Sequence, residues 1–235
     1  MPHLPITSVH AFLSVASPRY FTVARGRWVF RGHSDVSYEL KPSVGRGGHT
    51  ARDCATHEKS LFNMFLREAG SYLSPLPVDE WEWLSVAQHH GLPTRLLDWT
   101  YSPLVALYFA VNANPNDKGE LFALNTVTKA SQRTRERSPF DITRPAKYYP
   151  NIVSPRIRAQ EGLFIACSEI EKPLDAPLRD GWSIERYEIP REFKAQLRYE
   201  LFRLGVHASS LFPDVDGLAT RLKWQHMVSP LDGSA

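Results

Sequence analysis

Residues 81–112 read WEWLSVAQHHGLPTRLLDWTYSPLVALYFAVN, and this stretch decides how the rest of the chain is read. Asp79 caps its first half, with Glu82 three residues on as in a capping box; the helix so begun runs to His90 and stops at Gly91. Leu96 and Leu97 predict a short strand or a turn. Ser102 followed by Pro103 starts another helix, because a capping hydroxyl satisfies an orphan amide and proline at the first helical position forfeits no bond. Leu104, Leu107, Tyr108 and Val111 form the inner face of that helix. Between the two apolar segments lie Gln88, His89, His90, Thr94, Arg95, Asp98, Trp99 and Thr100. Polar groups are costly beside buried faces unless paired. The stretch is therefore either an internal hydrogen-bond network or one wall of a binding site.

Working outward, Ile6–Ala16 predicts a short helix started by Thr7 or Ser8, and Trp28–Arg31 a buried strand ending at Gly32. Residues 34–48 carry Asp, Ser, Pro and Gly punctuation and read as loop and turn. His57–Leu73 has helical apolar spacing through Leu61, Phe65 and Leu73. Glu120–Asn125, Gly162–Cys167 and Ser183–Ile189 read as strands, Arg191–Leu204 and Asp214–Met227 as helices, and Ser138–Pro155 as a loop. Helices dominate early and strands late, without regular βαβ alternation. That order predicts an α+β fold, with N-terminal helices around a mixed or antiparallel sheet. No domain boundary is evident, so residues 1–235 are expected to form a single domain with its core at about 25–220.

The 235 residues are 43% hydrophobic and 23% charged, enough apolar chain for a sizeable core. Cys54 and Cys167 are too few for a disulfide framework and form no CxxC pair. The N-terminal residues lack the basic start and apolar run of a signal peptide, and no stretch approaches ~18 uninterrupted apolar residues, so a cytoplasmic protein outside the membrane is expected. A net charge of +3 and a pI near 8.9 permit nucleic-acid binding without demanding it. The densest basic region, Lys129–Lys147 with Arg133, Arg135, Arg137 and Arg144, is either a solvated loop or an arm beside a phosphate-rich substrate.

Arg31, followed by Gly32 and His33, pairs with a structural carboxylate or clamps an anion. Gly32 would let a ligand approach the backbone, and His33 adds a titratable donor or acceptor. His89 and His90 fall at a helix C-terminus, where one can serve as a cap. No Cys or Glu completes a zinc set with them, so no metal is expected. Arg95 and Asp98 either pair internally or orient one another in a pocket with Thr94. Cys167 reads as core. Glu161 precedes an apolar strand and matters only if that strand end opens into the same cleft as Arg31. No GxSxG, Walker A or GxGxxG motif is present.

The chain resembles the FRG-domain family, named for the Phe-Arg-Gly found here at Phe30, Arg31 and Gly32. The resemblance runs through LKPSVGR at 40–46, QHHGLPTRLLDWT at 88–100 and ALYFA at 106–110. It continues through QEGLF at 160–164 and LFPDVDGL at 211–218. His33 stands where a Gln is frequent, and Glu161 where a second Gln is frequent. The order of elements is similar to the ADP-ribosyltransferase fold, where a first strand carries an Arg or His that holds NAD and later strands carry a catalytic Glu. This resemblance implies NAD as substrate, with Arg31, Glu161 and His90 as catalytic candidates. Arg31, Gly32, His33, Gln88, Thr94, Arg95, Asp98, Thr100 and Tyr108 are the implied NAD-binding candidates, and Tyr108 or Trp99 a stacking surface for nicotinamide. It also implies an acceptor that is nucleic acid or protein, with nucleic acid slightly favoured, and a role as a toxin or anti-phage effector. Two alternatives stand beside it: a non-catalytic nucleotide- or nucleic-acid-binding module, and a metal-independent nuclease using His89 or His90 as base.

Overall fold

A computed structural model describes residues 4–21, 27–47, 53–126, 135–151, 154–176, 178 and 181–227. In chain order the elements are α1 (Val9–Tyr20), β1 (Trp28–His33), α2 (Cys54–Ala69), α3 (Glu80–His89), β2 (Leu96–Thr100), α4 (Pro103–Val111), β3 (Gly119–Asn125) and β4 (Ala146–Tyr148). Then come α5 (Pro155–Ala159), β5 (Gly162–Ala166), β6 (Ser183–Ile189), α6 (Arg191–Arg203), α7 (Ala208–Leu211) and α8 (Val215–Met227). The six strands form one antiparallel sheet in the order β4-β5-β2-β1-β3-β6. The fold is α+β.

Strand alternation sorts the core into two faces. Phe30, Leu121, Ala123, Tyr187 and Ile189 pack under α1, α4 and α6. Leu96, Phe164, Ala166 and Tyr148 occupy the same face nearer β4, under α2 and α3 with Phe62, Trp81 and Leu84. Val29, Leu97, Trp99, Phe122, Leu124 and Ile165 point the other way and are covered by Leu40, Leu174 and Trp182 from connecting segments. The helical face thus carries two groups of helices with a seam between them.

Local signals explain most element ends. The Asp79 carboxylate accepts from Glu82 N at 2.8 Å, and the Ser102 hydroxyl from Val105 N at 3.3 Å. Gly91 closes α3 at φ 87°, a left-handed value that glycine adopts without strain. The capping box is altered: Glu82 reaches back to Val78 N at 3.1 Å, one residue beyond the cap. Four expectations differ. β1 does not end at Gly32 but runs on to His33. α1 starts after Ser8 and continues through Pro18 to Tyr20. α2 starts earlier, after Asp53, and ends at Ala69. Within the region read as loop, 138–155, β4 forms as a three-residue edge strand, too short to show a period.

Residues 127–134, with Lys129 and Arg133, lie outside the described residues. In the described part of that basic stretch Arg137 and Arg144 are exposed, whereas Arg135 and Lys147 are engaged internally. Arg135 bonds Asp79 at 2.6 Å and Glu82 at 3.0 Å, and Lys147 is buried with its Nζ 3.0 Å from Thr126 Oγ1. No described helix is long and apolar enough to cross a membrane.

Candidate functional site: a cleft where two central strands part

β1 pairs with β3 over six residues and β2 with β5 over five, yet β1 and β2 meet at a single register, Phe30 opposite Thr100. Beyond it the strands part and Arg31 occupies the gap. Its Nη1 donates to the Asp98 backbone oxygen at 2.6 Å, replacing ladder bonds that the strands do not make. A cleft of about 380 Å³ opens at this point, within the range of small-molecule sites. Phe30, Gly32, Asp98, Thr100 and Phe164 lie on the sheet beneath it. Gln88 and His89 come from the end of α3, Ala106 and Phe109 from α4, and Arg156, Ile157 and Gln160 from α5 and the turn after it.

The Arg31 side chain is 15% exposed, and its nearest carboxylate oxygen, Asp98 Oδ2, is 3.9 Å away on a side chain 64% exposed. Burial holds the guanidinium below its usual pKa, with Asp98 opposing. Asp98 is oriented by a short relay. The Thr94 hydroxyl accepts from Leu96 N at 3.1 Å and donates to Gln88 Oε1 at 2.7 Å; Gln88 Nε2 then donates to Asp98 Oδ2 at 3.1 Å. Thr94 itself is fully buried and does not line the cleft.

Several candidates have other surroundings. Arg95 is buried against Glu58, donating from Nε at 3.0 Å and Nη2 at 2.7 Å, with Nη1 on the Pro139 oxygen at 3.1 Å and the guanidinium 5.0 Å from the Phe140 ring. It is not a cleft residue. His90 is the exposed C-cap of α3, and His89 is the histidine that lines the cleft, its pKa lowered first by burial and then by His90. Glu161 is exposed at φ 47°, outside the cleft lining, with its backbone oxygen accepting from Tyr101 N at 3.1 Å. Thr100 faces the cleft, but its hydroxyl already donates to Gln160 O at 2.6 Å and accepts from Ser102 N at 3.0 Å. Tyr108 is buried on α4 near Arg198 and Trp224, away from the cleft, whereas Trp99, 3% exposed and packed in the opposite core, also contributes to the cleft lining.

Gly32 serves packing. A Cβ there would stand 2.0 Å from Ala106 O and 2.6 Å from Ala110 N, so α4, and not a ligand, makes the close backbone approach. Sequence reading missed Arg156 and Phe109 as lining residues. Arg156 lies 4.6 Å over the Phe212 ring, and Phe109 meets Phe212 edge-on at 6.1 Å, while Gln160 Nε2 donates to Leu211 O at 3.1 Å. The Leu211–Phe212 corner therefore supports the outer wall. The cation in α5 carried no periodic or motif signal that would have flagged it.

Two guanidiniums against one carboxylate, with aromatic and aliphatic surfaces between, suit an anion bearing a flat or apolar part. No group of three or more His, Cys, Asp or Glu side chains placed to hold a metal occurs among the described residues.

No curated protein and no solved structure matches the chain. The FRG domain family model matches residues 26–119, which span β1 through the first residue of β3 and include both sides of the strand split. The resembling segments at 160–164 and 211–218 lie beyond that match. The strand that carries Phe30, Arg31 and Gly32, the α3–β2 stretch that carries the relay, and the α4 helix seated on Gly32 all fall within the stretch that matches the FRG domain family model.

Proposed function

We propose that the cleft binds NAD as a substrate and that the protein transfers ADP-ribose from it to an acceptor, nucleic acid or protein. One observation carries this reading: Arg31 is a largely buried cation at the mouth of a strand split, with no carboxylate of the described residues closer than 3.9 Å. A buried charge is expensive without a close partner, and an oxyanion in the cleft would supply one. Arg31 holds a phosphate oxygen; Arg156 on Phe212 supplies a second cation; Phe109 and Phe30 offer apolar surface to a ring. NAD contributes an activated ribose that becomes positively charged as nicotinamide leaves. Asp98, held by Gln88, is the carboxylate beside Arg31 and would face that charge. The family resemblance points to Glu161 for this role, whereas the cleft geometry favours Asp98.

The test is incubation of the purified protein with NAD and candidate protein, DNA and RNA acceptors. Nicotinamide release or acceptor labelling is expected, abolished in Arg31→Ala and in Asp98→Asn and retained in Glu161→Gln. Activity lost in Glu161→Gln and retained in Asp98→Asn would reverse the two carboxylates. No product with any acceptor would remove the transferase reading. A second reading, nucleotide binding without turnover, is favoured by Asp98 being already engaged by Gln88. It is supported by saturable binding of NAD with no nicotinamide released.

A further inference from the structure

Arg31 and His33 are two residues apart on β1, so their side chains leave the same face of the strand. Arg31 Nε lies 3.0 Å from His33 Nε2, and His33 Nδ1 lies 3.1 Å from the Tyr38 backbone oxygen. A carbonyl oxygen only accepts, and a guanidinium N–H only donates. Both contacts are hydrogen bonds in one arrangement alone: the imidazole is neutral, its proton is on Nδ1, and its Nε2 lone pair faces Arg31. We propose that His33, in this tautomer, is the positioning residue that holds the Arg31 guanidinium by its Nε and leaves the Nη edge for an oxyanion in the cleft.

The donor inventory supports this. Of the five guanidinium hydrogens, His33 takes the one on Nε and Asp98 O takes one on Nη1. Asp98 Oδ2, at 3.9 Å, is beyond hydrogen-bond range. Three hydrogens remain, one on Nη1 and two on Nη2, and the Nη end can present a pair of them to two oxygens of a phosphate or carboxylate. With both its strand-side donors fixed, the fork has one orientation left and does not reorganise when an anion arrives.

The surroundings of His33 oppose the imidazolium form. The ring is 4% exposed and meets the Phe122 ring edge-on at 4.9 Å and the Tyr38 ring at 6.2 Å. Among the charged groups that act on it are Arg31 on its own strand, Arg46 from the segment after β1, and Arg186 on β6, all cations. Glu120, opposite His33 in the β1–β3 register, bonds Arg186 at 3.4 Å, and Arg186 also pairs with Asp175. Burial first, then Arg31, pushes the His33 pKa down to about 3. A proton on Nε2 would both break the contact with Arg31 Nε and set two cations side by side.

This inference rests on the anion-cleft reading, but its test does not need that reading to hold. Nitrogen NMR of the wild-type protein should show an Nδ1–H imidazole at His33 and an Arg31 Nε–H slow to exchange. Gln has one acceptor and one donor on a side chain that can span the same partners, so His33→Gln should keep the slow Nε–H, whereas His33→Leu should lose it. Titration with ADP-ribose should show affinity retained in His33→Gln and reduced about tenfold or more in His33→Leu, the factor for losing one hydrogen bond to a charged group. An Nε2–H tautomer, titration near the ordinary histidine value, or an Arg31 Nε–H unchanged by His33→Leu would each overturn the proposal. If ADP-ribose does not bind the wild type, the anion reading fails by itself, and the Nε–H exchange in the two variants still decides the role of His33.

Discussion

Arg95 and Arg31 are both arginines largely withdrawn from water, one just ahead of β2 and the other within β1, and their surroundings are opposite. Arg95 meets both oxygens of Glu58 through its backbone and side chain, donates from Nη1 to Pro139 O, and lies over Phe140. Glu58 is 1% exposed, so α2 and β2 are joined by a completed buried ion pair. Arg31 has a neutral imidazole on one side, a backbone carbonyl on another, and no carboxylate of the described residues within hydrogen-bond range. The comparison teaches that burial of an arginine does not identify a site. What identifies it is an incomplete set of partners beside an open cleft.

The largest effect that would sharpen the contrast is on stability. Glu58→Ala leaves the Arg95 guanidinium buried and unpaired, and should destabilise the fold by about 3–5 kcal/mol in denaturant titration. Arg31→Ala removes a charge with no close carboxylate among the described residues, together with its hydrogen bonds to His33 and Asp98 O, and should cost about 1–2 kcal/mol, less than Glu58→Ala, while removing ligand binding. Equal losses in the two variants would erase the distinction. Gly32→Ala should come next, because its new Cβ meets the α4 backbone at 2.0 Å. An overpacking loss of about 1–3 kcal/mol is expected, together with weaker ligand binding as β1 and α4 are pushed apart.

The pH dependence separates the two arginines through His33. Its folded pKa is depressed to about 3, below the unfolded value of about 6.5. The unfolded chain therefore takes up the proton first as pH falls. The stability contribution is fully present above about 6.5 and is lost progressively as pH drops toward the folded pKa, at up to about 1.4 kcal/mol per pH unit. At pH 5 the wild type should have lost about 2 kcal/mol relative to pH 7 beyond what His33→Gln loses. Parallel pH profiles would contradict the buried neutral imidazole. The smallest effect is at Thr94. Thr94→Val removes the hydroxyl that fixes the Gln88 amide, and should cost about 1 kcal/mol of stability. Weaker ligand binding through a less ordered Asp98 should accompany it, with Thr94→Ser restoring both.

Much of the architecture was legible in local chemistry. Ser102–Pro103, Asp79 and Gly91 mark helix ends because their bonds lie within a few residues, and β3 and β5 show as apolar runs. What the chain does not show locally is pairing. The six-strand order, the single β1–β2 register and β4 depend on contacts far apart in sequence. The site follows the same division. Gln88 and Asp98 come together as their closeness in sequence suggests, because α3 and β2 are consecutive, and Arg31 joins them across 67 residues because β2 lies beside β1. Arg95 joins Glu58 instead, across 37 residues, and no pattern in either segment announces the pair. Arg156 reaches the cleft through α5, and Thr94 acts on it only through Gln88.

Calorimetric titration of NAD into the wild type, Arg31→Ala and Arg31→Lys tests the central claim most directly. We expect saturable binding to the wild type that is absent in Arg31→Ala and only partly restored by Lys, which lacks the forked donor edge, with all three proteins equally folded. Absence of binding to the wild type, or binding that survives Arg31→Ala unchanged, would contradict the assignment of the strand split as the ligand site.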